Sequence, residues 1–590
     1  MKSHSKFQEK TKIYQTFLFK HSAIICVYLI STLVNLSFRN TIPTNAGFNA
    51  PHDDLLGVRL ANNILEGNWL GNWDSLTLAK PPGYSIYLSV THFFPIQLVV
   101  LNQILFCSIS LIFSFIVTKF LIRSHRIQKW IAASLYTFLI FNPYLFGIEM
   151  SRIYRTSTHT INVFAFCVIF VLLLVNLENL IKDSKDLVSK RPKIYLSAIF
   201  LGLSYSSLVL LRNESYWVLF SSLPFLTGYL LYLLRPLNKI RRRDKNLSGI
   251  ILPVMALFFV SYFVPITYLG QVNNAIYGTS LLEDYYAGNF GKAIKNWQRV
   301  NVGKDSRPYV IISKTQRAAV YEVSPTASLM KDFLELPAGQ GWQGQPCNSP
   351  IKLCDNAGGW VTWQIRDAAL ATGKIQNAVD FQEFFKTIAT DIEIACTNRI
   401  FECTKPGLGV GTKSIYEMPL KSIGEYAFQN LVDYVPKNWT PTGEVSTPDS
   451  FGASAEVVNA YHKVANYDVK SSNVNELDSV HKTLFNLQQI YFPFQQVLLY
   501  FALLGFVLSF WNPRRRFIFS ILGFCLTAML ANSVGVAITQ VSFGWRVGTG
   551  IYLLPLAALF QIFIIIGIVA LISTLEELKK LSFKRRKALQ

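Results

Sequence analysis

The feature that most constrains this sequence is the recurrence of uncharged or nearly uncharged stretches of about 18 to 25 residues, the length a helix needs to cross a bilayer's hydrocarbon core. They fall at 21–38, 96–122, 130–148, 158–180, 195–211, 215–234, 248–269, 491–511, 517–537 and 551–573. Lipid offers no hydrogen-bond partner to the backbone, so each stretch predicts a helix rather than an isolated strand. With 51% hydrophobic and only 15% charged residues, the chain is too apolar for an ordinary soluble domain. The expected fold is an α-helical polytopic membrane protein of about ten transmembrane helices.

The basic residues orient these helices. An inside N-terminus puts 1–20, 123–129, 181–194, 235–247, 512–516 and 574–590 in the cytoplasm, and these short segments hold half of the chain's 56 Lys and Arg. That is the positive-inside pattern. The net charge of +21 then calls for no nucleic-acid partner, because runs such as Arg241-Arg242-Arg243 and Arg514-Arg515-Arg516 abut spans. The first stretch is followed by Ser37-Phe38-Arg39, without a small-residue cleavage site, and reads as a retained signal anchor.

The expected organisation is a cytoplasmic N-terminus (1–20), seven spans (21–269) with an outer loop at 40–95, an extracytoplasmic domain (270–490), three spans (491–573) and a basic cytoplasmic tail (574–590). In the outer loop, apolar residues from Asp53 to Leu65 recur at three- and four-residue spacing and predict a helix with one apolar side lying on the membrane surface. A second short helix is expected after Pro81-Pro82. Region 270–490 reads as mixed and mainly helical, with helices near 281–298, 360–372, 378–397 and 453–465 and a strand pair within 308–323. Its Cys347 and Cys354 are seven apart, as are Cys396 and Cys403, which suggests two local disulfides in an oxidising compartment. A zinc site is the rival reading. Cys26, Cys107, Cys167 and Cys525 fall inside spans and read as packing residues.

Charged residues beside spans are costly and so mark functional candidates. Here they gather at the outer level: Asp53, Asp54 and Lys80 in the first loop, Glu149, Arg152 and Arg155 after the third span, Arg212 and Glu214 between the fifth and sixth, and Arg546 before the tenth. A carboxylate beside several cations suits group transfer from a phosphorylated lipid: the acid takes a proton from an attacking hydroxyl, and the cations hold the departing phosphate. Gly407-Leu408-Gly409-Val410-Gly411-Thr412-Lys413-Ser414 lacks the four-residue gap of a phosphate loop.

An anchor span, an acidic residue opening an amphipathic loop helix, then Asn68-Trp69 and Lys80-Pro81-Pro82-Gly83-Tyr84 together resemble the GT-C superfamily of polyprenyl-phosphate-sugar glycosyltransferases. The bacterial relatives of protein O-mannosyltransferases and the aminoarabinose transferases look most alike. The likeness covers 20–270 and 490–575. It implies a GT-C-like membrane fold and an inverting transferase acting at the outer face. Asp53 would be the general base, supported by Asp54 or Glu149; Lys80, Arg152, Arg212 and Arg546 would bind the donor phosphate. The implied partners are a polyprenyl-phosphate sugar donor, a glycan, lipid or protein acceptor, and membrane lipid; no cofactor or metal is implied. Glu149 after Phe141-Asn142-Pro143, Leu211-Arg212-Asn213-Glu214, and Arg546 with Tyr552-Leu553-Leu554-Pro555 resemble further family positions. Gly57 departs from the pattern, standing where an aromatic is frequent. The expected location is the bacterial inner membrane.

Plainer readings stand beside these. Asp53 and Asp54 suit helix capping, Lys80 an interfacial lysine, and Arg152 and Arg155 pairing with Glu149 or headgroups. Arg212 suits a local pair with Glu214, and Trp363 a core position. His52 beside two acids gives poor metal geometry. A transporter or flippase of lipid-linked glycans, or a non-catalytic assembly factor, are the alternative functions.

Overall fold

The computed structural model describes residues 2–46, 51–121, 125–182, 187–234, 248–303, 309–335, 355–356, 358–405, 418–434, 454–466, 474–511, 516–544 and 549–589. Among them, nine helices are long and apolar enough to cross a membrane: Ser22–Thr41, Leu98–Lys119, Arg155–Leu180, Lys190–Leu211, Asn213–Leu233, Gly249–Tyr277, Leu477–Phe510, Arg516–Phe543 and Gly550–Leu575. The chain is thus a mainly α-helical, multi-pass membrane protein.

The third expected span, 130–148, is the exception. Its helix, His125–Ile140, has 16 residues, a rise of about 24 Å against the roughly 30 Å of a hydrocarbon core. Asn142-Pro143 stops it: proline lacks an N–H and disfavours a helical residue before it. The chain turns instead into a 3-10 helix, Pro143–Phe146, whose first amide is capped by Asn142. This short helix still belongs to the bundle, because Asn35 donates to Ile140 O at 2.6 Å and Thr32 meets the Tyr136 hydroxyl at 2.5 Å. It also carries the chain from one end of the bundle to the other. Leu98, which opens the second span, packs with Leu211 at the end where Arg155, opening the third, lines a cavity.

The seventh span begins well before its expected start at 491, as a helix running Val474–Trp511. The bundle's core runs through most spans, with Phe106, Phe164, Phe170, Phe524 and Phe563 all essentially inaccessible.

Between the sixth and seventh spans lies a second core of Trp297, Phe290, Ile365, Phe381, Phe385 and Ile388. Helices Trp360–Ala371, Ala378–Thr397 and Ala455–Ala465 fall where periodicity puts them. The expected helix at 281–298 is confined to Gly288–Gln298. The strand pair expected within 308–323 is replaced by a helix, Lys314–Val323, started by a capping box between Ser313 and Gln316; Ile311 and Ile312 are buried ahead of it. The capping pair satisfies local N–H groups and so favours helix over strand. Strand pairing falls elsewhere, antiparallel between Val300–Asn301 and Glu402–Cys403. Beside it, Cys396 and Cys403 form a disulfide; Cys347 and Cys354 lie outside the described residues, as does the 407–414 glycine run. Cys26, Cys107, Cys167 and Cys525 are free thiols.

One helix has no counterpart in the sequence reading: Leu420–Tyr434 packs along the span Arg516–Phe543. Asn430 there is fully buried and donates to Ser533 O and to Gln540 Oε1.

Candidate functional site

The first loop, residues 51–91, forms the floor of the site. Helix Asp54–Leu65 is covered on both flanks by protein rather than lying with one side on lipid. Val58 and Ala61 face Tyr84, Leu88 and Leu211, and Leu56 and Leu60 face Leu70, Leu78 and Tyr277. Gly57 fits this arrangement, because a Cβ there would come 2.9 Å from the Tyr84 ring. That ring belongs to the facing helix, Gly83–Thr91. That helix sits so close to the fourth span that a Cβ on Gly83 would meet Leu210 O at 2.5 Å. Trp69 holds a left-handed φ of 51°, rare for a bulky residue, and donates its indole N–H to Asn273 at the end of the sixth span.

Asp53 precedes the loop helix but makes no side-chain capping bond, so the capping reading does not hold for it. Its carboxylate instead pairs with Lys80 and accepts a hydrogen bond from the Tyr154 hydroxyl at 3.2 Å. Burial alone would raise the Asp53 pKa; the Lys80 ammonium, then His52 and Arg155, outweigh it and hold the carboxyl below its usual range. Lys80 is the mirror case, its pKa lowered by burial and by Arg155 against the pull of Asp53. It is an internal cation, not a snorkelling one, and lies 5.4 Å from the Tyr154 ring centroid. Arg155 donates to the Tyr154 hydroxyl from the other side at 3.3 Å.

Asp54 has a different partner. Wholly buried, it receives Arg152 Nε at 2.8 Å. Arg152 is held there by a parallel bridge with Asn45, in which Asn45 N donates to Ser151 O and Ile153 N to Asn45 O. Arg152 therefore pairs with Asp54 rather than standing free for phosphate, and it is not among the residues that line the cavity. Glu149 lies close by, against Gly550. Its pKa is raised by burial and by Asp54, in opposition to Arg152, and its buried Oε2 has no hydrogen-bond partner among the described residues.

Asp53, Lys80, Tyr154 and Arg155 open onto a cavity of about 340 Å³. The inter-span region roofs it with Glu283, Tyr285, Trp360 and Trp363, and the bundle contributes Glu214 and Tyr552. Trp363 stacks on His52 and lies 4.7 Å from the Tyr285 ring, so it is packed on both faces. Trp363 is thus partly buried against the inter-span core while also lining the cavity, and its stacking makes the His52 ring a packing contact. Among the described residues no group of three His, Cys, Asp or Glu side chains is placed to hold a metal.

A second cavity of about 330 Å³ adjoins the first, sharing Glu214, Tyr286, Thr539 and Tyr552 with it. It runs between the fifth and eighth spans, walled by Trp217, Ala531, Gly535, Val536 and Ile538. Arg212 stands at this junction, 3% exposed, 3.8 Å from Glu214 and 4.7 Å from the Tyr552 ring. The local pair with Glu214 is therefore real, and it sits where the two cavities meet. Arg546 lies outside the described residues.

Glu283 is the cavity carboxylate, among the described residues, that the sequence does not single out. Its Oε1 accepts from Asn213, and its Oε2 from the N–H groups of Tyr285 and Tyr286 at 2.8 and 2.9 Å. The signal was present: Glu283-Asp284 is an acidic pair just beyond a span, the same rule that singled out Asp53-Asp54. It was absorbed into an expected helix at 281–298, whereas the observed helix starts at Gly288.

The neighbouring Asp284 is fully buried and pairs with Arg366 at 2.8 Å. Arg366 also donates to Ser75 O, and Asp284 N donates to Leu78 O at 2.8 Å. These bonds dock the inter-span region onto the first loop, directly above the cavity.

No protein-family model, curated protein or solved structure matches this chain.

Proposed function

We propose that this protein is an inverting glycosyltransferase that moves one sugar from a polyprenyl-phosphate donor to a glycan, lipid or protein acceptor at the outer face of a bacterial inner membrane. The observation that carries this reading is the junction of two unlike cavities: a polar one holding Asp53 and Lys80, and an apolar one between two spans. A lipid-linked sugar has the same two halves. Its isoprenoid tail suits the slot between Trp217 and Val536, and its sugar phosphate suits the polar chamber.

In this reading Lys80 and Arg155 face the phosphate, with Arg212 at the junction. Preorganised cations in a dry site stabilise the negative charge that grows on the leaving oxygen. A carboxylate of the chamber takes the proton of the acceptor hydroxyl, and one in-line displacement inverts the anomeric carbon. Asp53, the base expected from the resemblance, is already engaged by Lys80 and Tyr154. Its role is to set the position of Lys80 and to orient the acceptor. Asp54 and Arg152 form the buried pair that fixes the start of the loop helix.

The test is transfer from a panel of radiolabelled polyprenyl-phosphate sugars by the purified full-length protein, wild type against Asp53→Asn. Transfer from one donor by wild type, lowered by roughly 100-fold in the variant because Lys80 loses the carboxylate that positions it, is the expected outcome. If no donor is bound or turned over, the reading fails and a transporter or an assembly role takes its place.

A further inference from the structure

Two carboxylates of the polar chamber differ in how they are held. Asp53 is neutralised by an ammonium group, whereas among the described residues the donors to Glu283 are neutral: the Asn213 amide and two backbone N–H groups. A carboxylate locked to a lysine gives up basicity; one buried away from cations is made more basic by its burial, which the N–H bonds it accepts only partly offset. We propose that Glu283 is the group that takes the proton from the acceptor hydroxyl, an inference that rests on the glycosyl-transfer reading of this chamber.

The step balances without a further reactant. The acceptor oxygen bonds to the anomeric carbon as the bond from that carbon to the phosphate oxygen breaks. The acceptor proton passes to the Glu283 carboxylate, and the polyprenyl phosphate leaves carrying one more negative charge. Lys80 and Arg155, on the chamber wall beside Asp53, receive that charge. Glu283 then loses its proton to water.

The electrostatics agree with this division of labour. Burial is the main cause that lifts the Glu283 pKa, Asp284 and Glu214 add to the rise, and the two backbone N–H groups oppose it, leaving it at about 7. Among the described residues, the charged and titratable groups around it are Asp284, Tyr285 and Tyr286 on its own segment, Glu214 at the head of the fifth span, His52, Asp53 and Lys80 from the first loop, Tyr154 and Arg155 at the start of the third span, and Tyr552 from the ninth. A base whose pKa lies near the working pH combines the ionised form with real proton affinity.

The competing explanation is that Glu283 merely braces the turn at Tyr285-Tyr286, and a pH profile separates the two. With the donor that wild type accepts, kcat/KM is measured from about pH 5 to pH 9 for wild type, Glu283→Gln and Glu283→Asp. The glutamine keeps an acceptor oxygen for the two backbone N–H groups but cannot take a proton.

The proton-acceptor role predicts a wild-type rate that rises about tenfold per pH unit and levels off above about 7. In Glu283→Gln the rate falls by about 100-fold or more, the rising limb disappears, and donor binding persists. Glu283→Asp recovers part of the rate together with the limb, and supplies the readout if the glutamine variant proves unstable. A rising limb that survives in Glu283→Gln overturns the assignment while leaving sugar transfer standing. Absence of transfer by wild type with every donor overturns both.

Discussion

Residues 51–91 and the described residues of 288–405 both lie outside the spans, but the core of the second region is built mainly from its own residues, whereas the apolar clusters of the first loop are completed by its neighbours. In the second region Phe290, Phe381 and Phe385 pack on one another. In the first loop Val58 and Tyr84 share a cluster with Leu211 of the bundle, and Leu56, Leu60 and Leu78, which cluster together, are closed off by Tyr277 and Ala378. The first loop is thus a layer pressed between two preformed bodies, and Asp53 and Lys80 sit in that layer. A site built this way inherits its geometry from both sides. The carboxylate and the ammonium come from the layer, Arg155 and Tyr552 from the bundle below, and Glu283 and Trp363 from the region above.

The comparison breaks most severely at the joint. Arg366→Ala leaves Asp284 buried without its cation, and losing one member of such a pair costs about 3–5 kcal/mol. The expected outcome is a clear drop in the melting temperature of detergent-solubilised protein, with loss of any activity of the chamber. An unchanged melting temperature would mean that the two regions are held together by apolar contact alone.

A smaller effect is expected where the layer meets the bundle. The Cβ of Gly83→Ala would lie 2.5 Å from Leu210 O, a backbone atom that cannot swing away. Overpacking of this kind costs about 1–3 kcal/mol. It should also displace Lys80, three residues earlier, so donor affinity is expected to fall along with stability. A substitution that lowers neither would place the close approach outside what the layer requires.

The smallest effect lies at the outer edge. Lys463 reaches Glu66 at 3.5 Å and Asn62 at 2.7 Å, but both charges of the ion pair are nearly half exposed. Lys463→Ala should cost no more than about 1 kcal/mol, and the difference should shrink as salt is raised. A larger loss would show that helix Ala455–Ala465 is part of the joint and not an accessory to it.

Much of this was legible along the chain. The spans declare themselves because a bilayer demands length and apolarity, both of which are local properties. The helices Ala378–Thr397 and Trp360–Ala371 declare themselves because burial of one face imposes a period. Where such signals were weak the reading slipped. His125–Ile140 is cut short by Asn142-Pro143, the Ile311-Ile312 pair lies before a capping box rather than in a strand, and Leu420–Tyr434 is anchored by one buried asparagine that no periodicity reveals. The candidate site was legible as a set of charges gathered at one level, from the rule that charge beside a span is costly.

The sequence by itself determined that the chain crosses the membrane many times, that Asp53, Asp54 and Lys80 lie in the first loop, and that Arg155 and Arg212 lie near span ends. Hydropathy and spacing are written residue by residue. Only the tertiary structure decided the pairings: Asp53 with Lys80, Asp54 with Arg152 across 98 positions, Asp284 with Arg366, and Glu283 facing the same chamber as Asp53. Apolar burial drives the helices together without direction. Which carboxylate meets an ammonium and which meets only neutral amides therefore depends on how the bundle, the loop and the inter-span region stack, and no local pattern carries that information.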